Sequence, residues 1–499
     1  LCGDILVEDR VFKNLQISFK GSNLKNSGGC LYINGHPVTL NGLVNMEIIP
    51  PVKLHVTMNV PVDSEIEVEH IILTAQEEVQ DLVDECSINN DVLVITPDYP
   101  STHNLYLCAF AHSRNREYIE NGLNVQVASI SPNNWYQSVY NLDGVPVFTG
   151  RYQDLKKLLS RHQYKVIVVH FVDERLYPIF DGYIQDERLI FICHGPEATF
   201  RFLTNRCRPY FTKELPEIDN NPCFDKKESY AIKYAKKKNV DWVFVSEWLR
   251  DFSEKMLGTH FENSHVIYNT INEKLFPYRP KKADRKKILV LRKFDNIRVH
   301  SIDQVVGAIR DLSRRDFFED LTFEVYGDGN YYEVLTKPLK EFSNVHLHRT
   351  FVPNEKIADI HAENGIILIP SRHDTQGVAM CEAASSGLVV VGSDLEVTSF
   401  FMNQQENHTL ADPEDPHALA DIIERLYHNP DEYLEISARM SAETQARCNR
   451  ENTVLKEVAL IKPNIEIVDK TEYELVVYPN EDPVLTIVIP AYNVEAYLE

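Results

Sequence analysis

The sequence predicts an α/β fold of two Rossmann-like halves facing a cleft, preceded by a small all-β module. Three observations predict it. Up to residue 76 the apolar residues fall in short, alternating or β-branched runs punctuated by Gly-Ser, Asn-Gly and Pro-Pro, with no long helical pattern between them. From Asp91 the grammar changes to apolar runs of strand length separated by helical stretches, the mark of a parallel sheet buried on both faces. From Lys287 a second set of the same kind begins. A chain of 499 residues exceeds what one core supports and suggests about three or four units.

Taken in order, residues 1–76 read as a β-sandwich-like accessory module built from LQISF, CLYI, KLHVTMNV and IEVEHIIL. The chain starts at Leu1 rather than Met, so a fragment of a longer protein is expected. The module offers no catalytic constellation, which favours a structural or docking role over carbohydrate binding. Residues 77–90 are a linker. Residues 91–272 form the first Rossmann-like domain, a doubly wound parallel sheet with DVLVITP, NVQVASI, YKVIVVHF, RLIFICHG and WVFVSE as strands. A linker rich in Pro and Lys, 273–286, leads to the second, 287–462, with strands KILVLRKF, LTFEVYGDG, VHLHRTF, GIILIPS and LVVVGSD. Residues 463–482 are an extended acidic linker, and 483–499 open a further strand and helix.

Hydrophobic (43%) and charged (25%) fractions are those of an ordinary soluble protein. A net charge of -23 would repel a phosphate backbone over most of the surface, which argues against nucleic-acid binding by the chain as a whole. No apolar run approaches the roughly 18 residues needed to cross a bilayer, and the N-terminus lacks a basic-then-apolar signal pattern. A cytoplasmic protein is expected, with peripheral association at the inner face of a membrane left open. Nine cysteines, an odd number without a CxxC pair, fit reduced thiols better than a disulfide framework or a zinc site. Cys207 and Cys223 flank one loop and are expected to be free.

Chemistry concentrates in the stretch Ile366–Asp394, IILIPSRHDTQGVAMCEAASSGLVVVGSD. An apolar strand closed by Pro370, a polar loop Ser371–Gln376, a helix from Gly377 to an αL stop at Gly387, and a second buried strand make a strand–loop–helix–strand unit. Such units receive a phosphate at the carboxyl end of the strand, where free N–H groups and the helix dipole meet it. The N–H groups of Gln376, Gly377 and Val378 are expected to face phosphates, with Asp374 reaching sugar hydroxyls and Glu382 accepting from vicinal hydroxyls such as a ribose. The bland alternative is a capping Asp374 and a solvated Glu382. Arg292, Lys293 and Arg298 follow the first strand of the second half, well placed for a diphosphate or else a solvated basic face. His170 and His194 end two strands of the first half, the edge from which parallel sheets present functional groups. Gly327 and Gly329, in Tyr326-Gly-Asp-Gly, are too short a motif to count alone.

With these residues in view, the second half resembles the donor-binding domain of family-4 glycosyltransferases, retaining enzymes of the GT-B fold. Their signature, an acidic residue, seven residues and then Glu after a strand ending in Pro-Ser, stands here as Asp374 to Glu382 in PSRHDTQGVAMCEA. The His-Gly of FICHGPEA, Val-Ser of VFVSEW, Tyr-Asn of VIYNTIN and Gly-Asp-Gly of VYGDG extend the likeness over about 91–450. The resemblance implies a nucleotide-sugar donor between an acceptor-side first half and a donor-binding second half. Glu382 would hold the ribose, and Asp374 with the amides of Gln376, Gly377 and Val378 the transferred sugar. Arg292, with Lys293 or Arg298, would hold the diphosphate, Gly327 and Gly329 would lie along the donor, and His194 would shape the sugar site. Asp374 stands where the family more often has Glu, and Ile297 occupies the usual place of the second base.

The implied mechanism is retaining transfer to a glycan or lipid-linked glycan acceptor, without metal or other cofactor. The ending LTIVIPAYNVEAYLE resembles the opening of family-2 glycosyltransferases of the GT-A fold, so a missing C-terminal GT-A domain and a bifunctional enzyme of bacterial surface polysaccharide or capsule synthesis are expected. Alternatives are a degenerate domain that binds nucleotide-sugar or glycan as a scaffold, and a nucleotide-sugar epimerase of the same fold.

Overall fold

The structure is a computed structural model. It describes the strands between Cys2 and Thr74, residues 82–86 and 90–101, residues 108–195 apart from 133, 135 and 136, residue 197, and residues 222–464 apart from 296. The expected GT-A opening at 483–499 and Cys207 lie outside the described residues.

Among the described residues the N-terminal region holds seven strands in two antiparallel sheets. β1 (Cys2–Val7), β6 (Val52–Asn59), β3 (Cys30–Ile33) and β4 (His36–Val38) form one; β5 (Val44–Ile48), β2 (Phe12–Gly21) and β7 (Ile66–Thr74) form the other. The four apolar runs read from the sequence fall in β2, β3, β6 and β7.

The next sheet has eight strands in the order β10-β11-β9-β8-β12-β13-β14-β15. They are β8 (Val92–Thr96), β9 (Val125–Ile130), β10 (Ser138–Leu142), β11 (Val145–Gly150), β12 (Val166–His170), β13 (Arg188–Cys193), β14 (Val240–Phe244) and β15 (Ser264–Val266). All residues of β8, β9, β12 and β14 are buried, which is why they read as mostly apolar runs, with buried polar exceptions such as Gln126 and Ser129 of β9 and Asp241 of β14. One expectation needs correction: the sheet is not wholly parallel. β10 runs antiparallel to β11 through a turn at Asp143 (φ 49°) and Gly144 (φ 85°). Two successive positive φ values are what a type I′ hairpin turn requires, and Asp-Gly supplies them.

The second half is a six-stranded parallel sheet in the order β18-β17-β16-β19-β20-β21. Its strands are β16 (Lys287–Leu291), β17 (Thr322–Gly327), β18 (Val345–Arg349), β19 (Ile366–Leu368), β20 (Val389–Ser393) and β21 (Leu410–Ala411). Strand order reverses between β16 and β19 here, and between β8 and β12 in the first half. These are the switch points at whose carboxyl ends open α/β sheets bind ligands.

The chain crosses between the halves twice. After β15 it runs into the second half, and the helix Val454–Ile461 returns to bury Val454, Val458 and Ile461 in the same cluster as Val92, Val94 and Val125. Its Glu457 accepts from Arg114 Nε at 3.1 Å and from the Tyr118 hydroxyl at 2.6 Å, both on the helix Ala109–Glu120.

Candidate functional site

Loops at the second switch point bring Arg292 and the Asp374 segment together. Arg292 leaves β16 and its Nη2 donates to Ser371 Oγ at 2.6 Å, just beyond β19. Its Nε is buried without a hydrogen-bond partner among the described residues, an unspent donor at the carboxyl edge of the sheet. His300 Nδ1 lies 3.5 Å from Arg292 Nη1, and burial together with this guanidinium pushes the imidazole down to about 4. It is therefore neutral at pH 7 and adds no charge of its own. Lys293 is exposed and acts electrostatically both on His300 and, across the cleft, on Cys108 of the first half. Arg298 lies on the short helix Ile297–His300, and its side chain is outside what the structure describes.

Gly327 and Gly329 let two loops pack backbone to backbone. A Cβ on Gly327 would come within 2.0 Å of Arg292 O, and one on Gly329 within 2.5 Å of Asp295 Oδ1. The loops after β16 and β17 can touch only because both positions lack a side chain.

Asp374 turns part of its carboxylate inward. Its Oδ1 accepts from the N–H of Thr375 at 2.8 Å and of Gln376 at 3.2 Å. The Gln376 amide, expected to face a phosphate, is thus engaged by its own loop. The Gln376 side chain is buried and grips the inter-half segment: its Oε1 accepts from Asn269 N and Nδ2 at 2.6 and 2.7 Å, and its Nε2 donates to Asn269 O at 3.1 Å. Gly377, at φ 78°, then starts the helix Val378–Ser385, whose first turn receives no side-chain cap. N–H groups left in this way at a helix start are available to an anion.

Glu382, just over one turn along this helix, borders a cavity of about 810 Å³. Val378, Val352, Pro353 and Ile357 wall it from the second half, Asn269–Phe276 from the connecting segment, and Phe110, Arg114 and Glu117 from the first. Burial alone pushes the Glu382 carboxyl up to about 7, and no cation pairs with it among the described residues. A carboxylate left unpaired in a cavity is placed to accept hydroxyl hydrogen bonds from a ligand.

The first half contributes two histidines in contact. His170 Nδ1 and His194 Nε2 are 2.9 Å apart, and their rings stack with centroids 5.2 Å apart. Phe110 and Phe171 flank His194 at 4.8 and 4.7 Å. Burial and the nearby Arg114 charge push both imidazoles down, so both are neutral. Buried Glu197 accepts from the N–H of His194 (3.0 Å) and Gly195 (2.7 Å), which fixes the loop after β13. That loop meets the Asp374 loop directly, because Thr375 Oγ1 donates to His194 O at 2.6 Å.

Asp374, Arg292, Gly377, Val378 and Glu382 thus gather along one side of the cleft and His194 stands on the other. His300, Thr375, Asn269 and Arg114 were not singled out from sequence. The Tyr-Asn pair at Asn269 and the position of Thr375 inside the Asp374–Glu382 signature were the available signals. Among the described residues no helix is long and apolar enough to cross a membrane, and no group of three or more His, Cys, Asp or Glu could hold a metal ion.

Residues 285–429 match the family model described as "Glycosyl transferases group 1". No curated protein matches the chain. Among solved structures, sucrose-phosphate synthase from Thermosynechococcus elongatus is similar with a TM-score of 0.57 at 14% identity, over 75% of this chain and 99% of that one. Anabaena HepE, in complex with UDP and glucose, gives 0.55 at 14% identity over 75% and 99%. An E. coli structure described as trehalose-6-phosphate bound with UDP-2-fluoro glucose gives 0.55 at 11% identity over 74% and 97%. At such identities the likeness establishes the fold, which is GT-B. Residues 285–429, in the second half of that fold, are similar to a group 1 glycosyltransferase domain.

Proposed function

We propose that the chain is a retaining, metal-independent transferase that moves a sugar from a nucleotide-sugar to a hydroxyl of a glycan or lipid-linked glycan, in the synthesis of a bacterial surface polysaccharide. The observation that carries the donor assignment is Glu382, an unpaired carboxylate at the wall of an inter-half cavity, one turn beyond an uncapped helix start. The neighbours solved with UDP and glucose or UDP-2-fluoro glucose share the fold, and the ligand class is carried over from them by analogy.

In this reading the ribose hydroxyls donate to Glu382. The diphosphate lies over the first-turn N–H groups of Val378–Ser385 and the Arg292 guanidinium, whose buried Nε has no protein partner. As the bond from the anomeric carbon to the leaving phosphate oxygen breaks, the new charge on the diphosphate meets fixed donors that need no reorganisation. Lys293 adds an exposed positive charge. The acceptor hydroxyl attacks from the face the leaving group departs, its proton passing to the leaving phosphate oxygen, which retains the anomeric configuration. Asp374 Oδ1 is bound within its own loop, so Oδ2 is the oxygen left for a sugar hydroxyl. His194 borders the same sugar from the first half.

The test is a thermal-shift screen of the purified chain against UDP-, GDP- and CDP-sugars, followed by slow hydrolysis of the hits without acceptor. A stabilising donor that the wild type hydrolyses and Glu382→Ala neither binds nor hydrolyses is the expected result. Binding without any hydrolysis or transfer would leave a scaffold, and interconversion of the free nucleotide-sugar an epimerase.

A further inference from the structure

We infer that His170 is a positioning residue that fixes the tautomer of His194, so that His194 presents its Nδ1–H as a hydrogen-bond donor to an oxygen of the transferred sugar. The inference rests on the placement of the donor sugar beside His194 proposed above.

One proton lies between His170 Nδ1 and His194 Nε2, since the two nitrogens are 2.9 Å apart and both rings are neutral. If His194 Nε2 carried it, neutral His170 would bear its own proton on Nε2. That atom is buried in the fully buried His170 and has no partner among the described residues, so the result would be an orphaned N–H. If His170 Nδ1 carries it, Nε2 is left as a bare lone pair. Buried donors without an acceptor are the rarer and costlier arrangement, so the second is preferred. His194 then accepts at Nε2 and must hold its proton on Nδ1. This is the ring nitrogen that makes no hydrogen bond to the protein among the described residues.

The surroundings hold this arrangement. Phe110 and Phe171 clamp the His194 ring, and Phe110 also lines the large cavity. Phe171, at φ 56°, adopts a left-handed conformation unusual for a bulky side chain, which turns the chain directly after His170. Arg114 lies close enough to disfavour an imidazolium on either ring. His194 is therefore a neutral donor of fixed direction, and the sugar atom it meets is an acceptor such as a hydroxyl oxygen. A donor sugar lacking that oxygen is discriminated against.

Two variants test this on the full chain. His170→Phe keeps an aromatic ring against His194 but offers no N–H; His170→Asn keeps an amide N–H close to the position of Nδ1. Selective 15N labelling of histidine reads the His194 ring directly, its signals assigned by their loss in His194→Ala. The expected result is an Nδ1-protonated ring in the wild type and His170→Asn, and loss of that state in His170→Phe. With the donor found by the screen, His170→Phe should lower kcat for hydrolysis about tenfold, the worth of one hydrogen bond, with affinity for the free nucleoside diphosphate unchanged and recovery in His170→Asn. A wild-type His194 protonated on Nε2, or a His170→Phe chain with wild-type ring signals and kcat, would overturn the inference. If no nucleotide-sugar is bound or turned over, the transferase reading fails, and the ring signals still decide the role of His170.

Discussion

Thr375 Oγ1 donates to the main-chain carbonyl of His194 at 2.6 Å, joining the Asp374 loop of one half to the histidine loop of the other. This contact holds the two sides of the proposed sugar site in one arrangement. Thr375→Val keeps the shape and removes only the donor. The expected effect is a rise in donor KM of about three- to tenfold, the worth of one neutral hydrogen bond, with Tm lowered by no more than a few degrees. Steady-state kinetics beside a melting curve checks it. An unchanged KM would show that the loops find this geometry without the bond.

Glu382 makes donor binding depend on pH. Its carboxyl is pushed up to about 7 by burial, so it is largely ionised at pH 8 and largely protonated at pH 6. Ribose hydroxyls donate best to the ionised form, so wild-type donor KM should rise as pH falls from 8 to 6, whereas Glu382→Gln should show a high KM that does not vary with pH. Stability runs the other way. A carboxyl whose folded value exceeds its unfolded value of about 4.3 keeps its proton in the folded state, and that stabilisation is lost as pH rises through about 7. Glu382→Gln, which cannot ionise, should therefore melt higher than wild type at pH 8, with the difference shrinking as pH falls and vanishing only below the unfolded value of about 4.3. A Glu382→Gln chain with wild-type KM at pH 8 would falsify the ribose assignment.

What could be read from the sequence follows burial. β8, β9, β12, β13 and β14 are covered on both faces and announce themselves as apolar runs. The edge strand β10, SVYNL, is mostly half-buried and polar, and was missed although Asp143-Gly144 marked the hairpin. Within the site, Asp374 and Glu382 are eight positions apart on one loop and helix, so their spacing was legible. The bonds that join the halves were not. Thr375 and His194 are 181 residues apart and Arg114 and Glu457 are 343, and no local pattern encodes such pairs. For the same reason the grip of the Gln376 side chain on Asn269, 107 residues away, has no local signal, and the Gln376 backbone N–H, expected to face a phosphate, donates to Asp374 Oδ1.

Arg292 should matter more to turnover than to binding. Its Nη2 is spent on Ser371 Oγ, while the buried Nε has no partner among the described residues. Lysine keeps the charge but cannot hold Ser371 and a phosphate oxygen from one planar group. Arg292→Lys should lower kcat on the order of 100-fold, as for loss of one preorganised donor to a developing charge, with a much smaller change in donor KM. Equal losses in both the ground-state affinity for nucleoside diphosphate and kcat/KM would instead assign Arg292 to uniform binding.

Arg114 and Glu457 form a buried pair whose side chains are only 2% and 3% exposed. Glu457→Ala leaves the guanidinium unpaired in the core, at a cost of about 3–5 kcal/mol, and should lower the denaturation midpoint sharply. Removing both charges, as in Arg114→Met with Glu457→Leu, leaves no uncompensated ion and should recover most of that stability. Function should not recover with it. Arg114 Nη2 also donates to Asn269 Oδ1 at 2.9 Å, and Asn269 is the residue gripped by Gln376 two positions from Asp374. The double variant loses that end of the chain of contacts, so it should fold with near wild-type stability yet bind the donor several-fold more weakly. Denaturant melts and donor titrations on the two variants check both halves of this statement. A double variant with wild-type donor affinity would show that Asn269 holds the donor loop without help from Arg114.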